Sequence, residues 1–334
     1  MLGEISKSTF SFLFEVISQS ANLTKPSCSF STIYRHVIPP LLFMILSFLH
    51  DTFLQLHYKV GDKYMAGPND IYTMITGTVF VALCYYVFVN TLSVSSLRIP
   101  VSRQKKVLHN YFFSLFYLFM TAYQLCHLHH EEWFYKPHLS LRMPWTEPDD
   151  KFIKISYSLH AGFYTFGLFL LVSSRTRDPN FEGFWAMFCH HIVTLFLITT
   201  SLMLADQPKI GLLIQFCHNI ADISLHLAKA LHFSAEHNLA EVVFVLFAVT
   251  FFFTRILWFG FLLVNVFIGR HRAQLGIYFY GSPLMLLYAL HCVWLLKIVD
   301  MTRSILQGRS VSAELENMTE KRPVSAQEVV EKIS

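Results

Sequence analysis

Two adjacent histidines, His190 and His191, stand in an apolar run. Thr194 lies four residues beyond His190 and Ser201 further along the same helical face. Further on come Gln215, His218, Asn219, Asp222, His226 and Lys229, spaced 3, 1, 3, 4 and 3. At helical period this is one polar stripe over about four turns. Ile214, Phe216, Ile220, Ile223 and Leu227 take the opposite face. Imidazole acts as base or nucleophile near neutral pH. A carboxylate such as Asp222 can orient it and stabilise the imidazolium. These parts suit acyl transfer without a metal. Metal chemistry is the competing reading. Zinc accepts nitrogen and oxygen donors, so His190, His191, His218 and Asp222 are suitable types, but nothing in their spacing demands an ion. A diiron hydroxylase needs H-x3-H and H-x2-H-H groups. His190-His191 has no histidine two or three residues upstream, and His127-x-His129-His130 has the wrong spacing. No metal and no cofactor are expected.

The elements that must hold these residues are transmembrane helices. Of 334 residues, 54% are hydrophobic and 14% charged, against roughly 25% charged in ordinary globular chains. A soluble protein so composed would expose large apolar patches. Disorder, a small disulfide scaffold and nucleic-acid binding are therefore poor readings. The six cysteines form no C-x-x-C pair and read as free thiols. A hydrocarbon core of about 30 Å needs ~20 apolar helical residues. Such runs fall at ~71–94, ~110–128, ~152–174, ~184–204, ~209–231, ~241–268 and ~276–299. A weaker one at ~37–56 contains Pro39, Pro40, His50 and Asp51. The expectation is an all-α polytopic protein of seven to eight spans. Its divisions are an N-terminal segment (1–36), the weaker span with a lumenal loop (37–69), the principal domain (70–302) and a disordered cytosolic tail (303–334) holding Ser310, Ser312 and Ser325.

The excess of Lys and Arg in 95–109 and at Arg175 and Arg177 puts those loops in the cytosol, and the acidic 129–151 loop in the lumen. Eight spans give cytosolic termini. Seven would leave the Asn22 sequon lumenal and open to glycosylation. His190 and His191 then lie roughly 10 Å in from the cytosolic face, and Asp222 roughly 14 Å in. The short connection at 205–208 makes their helices antiparallel neighbours, so the two groups can meet. A polar stripe at that depth must line a cavity or pack on another polar face. Arg255, mid-way along ~241–268, is the expected counter-charge for Asp222. Lys229 is expected to reach toward the cytosolic interface.

At these residues the chain resembles a family. Phe181 to Thr194, with its His190-His191 pair and following Thr194, looks like the start of the Lag1 motif of TLC-domain ceramide synthases. His218 to Lys229 resembles the motif's second half, HDxxDxxLExxK. Trp133-Phe134-Tyr135, Thr254-Arg255 and Leu290-His291-Cys292-Val293-Trp294 extend the likeness over roughly 70–308. The resemblance implies a multi-pass endoplasmic reticulum enzyme, with a helical barrel around an intramembrane cavity. It would transfer a fatty acyl group from acyl-CoA, the co-substrate, to the amine of a sphingoid base. Partners would be acyl-CoA, the base and membrane lipid, with a homo- or hetero-dimer left open. His190, His191 and Asp222 would be catalytic. His218, Asn219, Thr194, His226 and Arg255 would contact substrate or balance charge. The segment of about Ile268 to Gly276 would tune acyl-chain length. Two positions depart from the motif: Asn219 replaces an Asp and His226 a Glu. Asn219 still donates and accepts hydrogen bonds but carries no charge, so Asn219→Asp is expected to preserve or raise activity. The alternative function is a non-catalytic TLC-type protein that binds lipid or assists membrane insertion. The translocating-chain-associating relatives lack the histidine pair, so its presence here favours an enzyme.

Overall fold

The computed structural model describes residues 59–60, 63–64, 68–92, 99, 101–141, 151–177, 183–203, 208–268 and 274–307. The weaker span at 37–56, the Asn22 sequon and the tail serines lie outside these residues. Apart from a two-residue antiparallel ladder pairing β1 (Lys59–Val60) with β2 (Lys63–Tyr64), the described fold is helical. In order come α1 (Pro68–Thr91), α2 (Val101–Leu128), the one-turn α3 (Glu132–Tyr135) and a 3-10 turn (Pro137–Leu141). Then follow α4 (Lys151–Arg177), α5 (Phe184–Met203), α6 (Pro208–Phe233) and α7 (His237–Phe251). A π-helical turn (Phe252–Trp258) runs straight on into α8 (Phe259–Ile268), and α9 (Gln274–Leu306) closes the order.

Six of the described helical segments are long and apolar enough to cross a membrane: those at 73–91, 152–174, 184–202, 208–233, 237–268 and 281–306. The helix over the expected 110–128 span is present as α2, but it is not among the six. The polar groups that dilute it, Asn110, Ser114 and Gln124, are buried inside the bundle. Leu115, Leu118, Phe119 and Leu125 on its other face are exposed.

Local chemistry fixes the helix ends. Proline opens α1 and α6, where its missing N–H costs nothing. Gly183 at φ 76° turns the chain into α5. After α6 the Glu236 N–H reaches back to the Leu231 carbonyl at 3.0 Å, and Ala235 takes φ 64°. Ser234 to Glu236 alone join α6 to α7, which makes them antiparallel neighbours. The described part of the expected lumenal loop, residues 129–141, packs on the bundle. Trp133 is buried, donates from Nε1 to Glu131 Oε2 at 2.6 Å, and joins the core with Leu128, Tyr157 and Leu213.

The tightest helix crossing is that of α1 with α4. A Cβ placed on Gly77 would lie 2.5 Å from the Ser158 carbonyl oxygen, and one on Gly162 2.5 Å from the Gly77 carbonyl carbon. Only glycine permits such backbone approach, the small-residue packing common among membrane helices. Gly162→Val is therefore expected to force the helices apart, at about 1–3 kcal/mol. A lowered unfolding midpoint of the purified protein in micelles would register it. An unchanged midpoint would show that the crossing tolerates a side chain.

Candidate functional site

The polar residues of α6 do not all face one way. This helix is enclosed on several sides, so its stripe is divided among different neighbours. Gln215 and Asn219 turn toward α2 and α4. Asn219 is fully buried and its Nδ2 donates to Gln124 Oε1 at 3.0 Å. The same Nδ2 lies 3.0 Å from His160 Nε2. His160 Nδ1 is 2.8 Å from the Ser156 carbonyl and must donate to it, which leaves Nε2 as the acceptor for Asn219. Gln124 Nε2 in turn donates to Ser156 Oγ at 2.8 Å. None of Gln124, Ser156 or His160 stood out in the sequence. They carry no motif, and only the helix packing joins them to Asn219. The opposite face of α6 is not a lipid face either: Ile223 and Phe216 are half-buried against core side chains from other helices.

His218 turns toward α8 and α9. Its Nδ1 donates to the Ile214 carbonyl at 2.6 Å, and its ring sits 4.9 Å from that of His291 and 5.2 Å from Phe259. His291, fully buried, also lies 6.3 Å from the His190 ring. In the sequence only the likeness of Leu290-His291-Cys292-Val293-Trp294 to the family's last helix marks it.

Asp222 and Arg255 meet. Arg255 Nη2 is 2.6 Å from Asp222 Oδ2 and donates to the His218 carbonyl at 3.0 Å. Nη1 is 3.5 Å from His291 Nε2. Arg255 comes from the π-helical turn, and such turns re-aim a side chain within an otherwise regular helix. Tyr117 lies against both Asp222 and Tyr164. The carboxylate is thus bonded to a guanidinium, which outcompetes an imidazole. Among the described residues no hydrogen bond joins Asp222 to His190 or His191.

His190 and His191 come in from α5. The His190 ring packs on Trp294 at 5.3 Å and on Tyr164 at 6.1 Å. Its Nδ1 is buried without a protein partner. His191 Nδ1 donates to the Met187 carbonyl at 2.9 Å, so its Nε2 carries the lone pair. Gly167 on α4 leaves room for that ring: a Cβ there would sit 3.0 Å from His191 Nε2. His226 Nδ1 is 3.0 Å from Asn110 Oδ1.

A cavity of ≈ 690 Å³ brings His190, His191, Asp222, Arg255, His226 and Lys229 together. Leu170, Phe244, Phe247 and Phe251 are among its apolar walls. Lys229 thus lines the cavity beside the expected catalytic groups. Thr194, His218 and Asn219 do not line this space. They border a second chamber of ≈ 60 Å³, nearer the α5–α6 connection. Among the described residues no three His, Cys, Asp or Glu side chains form a metal-binding group.

A model of the TLC domain matches residues 106–300, more than half of the chain. The chain belongs to the TLC-domain family. Curated relatives include ceramide synthase LOH2 of Arabidopsis thaliana, 27% identical over 210 residues, or 60% of this chain and 69% of the relative. Ceramide synthase hyl-1 of Caenorhabditis elegans is 26% identical over 237 residues, 64% and 62% of the two chains. Human ceramide synthase 4 is 28% identical over 214 residues, 62% and 52%. The alignments thus span about half to two thirds of the relatives' lengths. The polar residues that line the cavity, from His109 to Lys297, lie within the matched region.

Two predictions arise from this geometry. Asp222→Asn and Arg255→Met each leave one buried polar group without its partner, at about 3–5 kcal/mol. The double variant removes both charges and is expected to unfold at a higher temperature than either single variant. A double variant no more stable than the worse single one would show that the pair is not energetically coupled. The second concerns the stability of Asn219→Asp. A carboxylate cannot donate to Gln124 Oε1 and His160 Nε2, so the substitution is expected to lower the unfolding midpoint. Calorimetry or dye-monitored unfolding in micelles checks it.

Proposed function

We propose that this TLC-domain protein is a ceramide synthase, transferring a fatty acyl group from acyl-CoA to the amine of a sphingoid base. The observation that carries the reading is the largely apolar-walled cavity on which the His190-His191 pair and the Asp222–Arg255 pair converge. The relatives' names supply the reaction class. In this reading the helices form a barrel of seven to eight spans in the endoplasmic reticulum membrane. The end of the cavity with Lys229, His232 and Lys297 opens to the cytosol, where acyl-CoA arrives. No metal or prosthetic group takes part.

The chemistry follows from the atoms at hand. His191, its Nδ1 held by Met187, offers Nε2 as the base that removes a proton from the acceptor ammonium. His190 is the nucleophile: its ring nitrogen attacks the thioester carbonyl, the C–S bond breaks, and CoA leaves as the thiol, taking from His191 the proton that came off the ammonium. The amine then attacks the acyl carbonyl, the C–N bond to His190 breaks, the amine's second proton passes to the freed His191 and on to solvent, and the amide forms. Arg255 bonds Asp222 beside this centre, and the fixed field of the pair favours the charge that develops on the imidazole and the carbonyl oxygen.

Microsomes expressing the chain in a host without its own ceramide synthases are given a sphingoid base and a panel of acyl-CoAs, and the lipids are read by mass spectrometry. We expect ceramide from the wild type. His190→Ala and His191→Ala, expressed at the same level, are each expected to lose at least about 100-fold in rate, the scale of a lost general base. Full activity in both variants would refute the site. No ceramide from well-expressed wild type would refute the reaction.

A further inference from the structure

The second chamber, ≈ 60 Å³, lies behind the His190-His191 pair. Tyr164 lines it and packs its ring against both histidines, at 6.1 and 5.6 Å. Its walls are mostly apolar, with Ile198, Ile214 and Leu287 among them, yet three polar atoms on its lining residues have no partner among the described residues. These are Thr194 Oγ1, Gln215 Nε2 and His218 Nε2. Gln215 and His218 are more than nine-tenths buried.

Their chemistry can be read atom by atom. Gln215 Nε2 is a donor. His218 Nδ1 donates to the Ile214 carbonyl, so His218 Nε2 is an acceptor. Thr194 Oγ1 is either. One donor, one acceptor and one hydroxyl do not suit an ion of either sign, and they reject a bare alkyl group, which would leave all three unsatisfied. They match a group that donates and accepts at once. A hydroxyl does so, and the chamber exceeds the roughly 10–15 Å³ that a water-sized group needs.

Position gives the source. Thr194 is one helical turn from His190, and His218 one turn from Asp222, both toward the α5–α6 connection. A turn is about 5.4 Å. A substrate whose reacting atom sits at the level of His190 and Asp222 therefore brings a hydroxyl on a neighbouring carbon into reach of the three atoms. We propose that the inner chamber is a hydroxyl-binding subsite that recognises an aliphatic hydroxyl carried next to the reacting centre of the substrate. Resting on the acyl-transfer reading above, the favoured source is the hydroxyl on C3 of the sphingoid base. The other source of the same chemistry is a 2-hydroxyl on the acyl chain.

The purified full-length protein in micelles is titrated with sphinganine, with its 1-deoxy and 3-deoxy analogues, and with 2-hydroxypalmitate against palmitate. Affinity is read from the shift in unfolding temperature. Wild type is expected to bind sphinganine about tenfold more tightly than the 3-deoxy analogue. Thr194→Val and Gln215→Leu are expected to bring that ratio to about two, while Thr194→Ser, which keeps the hydroxyl, retains it. The same loss of discrimination seen only in the palmitate pair supports the subsite and assigns the hydroxyl to the acyl chain. Equal affinity within every pair overturns the subsite and leaves the chamber to water. A ratio preserved in both the Val and Leu variants overturns it too. Discrimination without any ceramide formed in the microsomal assay overturns the proposed reaction and not the subsite.

Discussion

A carboxylate and a guanidinium buried in the middle of an apolar helical bundle constrain everything near them. Asp222 and Arg255 are each almost wholly shielded, and neither is stable there alone. Keeping them in contact requires α6 and the Arg255 turn to hold a fixed register. The π-helical turn at Phe252–Trp258 supplies it by shifting the arginine's direction within a continuous helix. The second N–H of the guanidinium is anchored on the His218 carbonyl, so the same cation ties two turns of α6 together. His291 closes the remaining side. The position of the carboxylate relative to the histidine pair is thus set by an ion pair and not by a hydrogen bond between them.

Helix α6 is the hub because its polar residues are shared out. Asn219 and Gln215 bind it to α2 and α4 through Gln124, Ser156 and His160. His218 and Asp222 bind it to the Arg255 turn and α9. His226 binds it to Asn110 near the start of α2. Where water is scarce, each such bond competes with no solvent, and an unmade one is costly. Specific helix placement therefore comes from these pairings, while the apolar contacts fill the space between them. Close glycine crossings such as Gly77 with Gly162 then allow α1 to pack on α4 closely enough for Ser158 Oγ to donate to the Thr73 carbonyl.

Helix positions were legible in the sequence because apolar runs of the right length mark them: the seven stronger runs each fall on a helical segment, although α2 begins nine residues before its run and α9 ends seven after. The histidine pair and the α6 stripe were legible because polar residues at helical period are conspicuous in an apolar chain. Their partners were not. Gln124 and Ser156 look like ordinary polar residues in spans, and His160 is one of 17 histidines. Period tells which residues share a face, but not which neighbour each residue on a broad face meets. That is why one stripe resolved into two cavities and a buried network. The π-helical turn was hidden for a related reason: hydrophobic periodicity in so apolar a run cannot reveal one extra residue per turn.

The two departures from the family motif now have a physical setting. A carboxylate at 219 would need donors from both Gln124 and His160. Asn219 instead donates to both, and the network closes without charge. At 226 a histidine reaches Asn110 Oδ1, an acceptor that a carboxylate would repel. Both substitutions are matched by their neighbours, so they belong to a self-consistent site rather than to an eroded one. At 226 the histidine leaves Asp222 as the only carboxylate of the polar stripe that lines the main cavity, facing both Arg255 and Lys229. Glu241 on α7 also lines that cavity, but the carboxylate that Arg255 holds is Asp222.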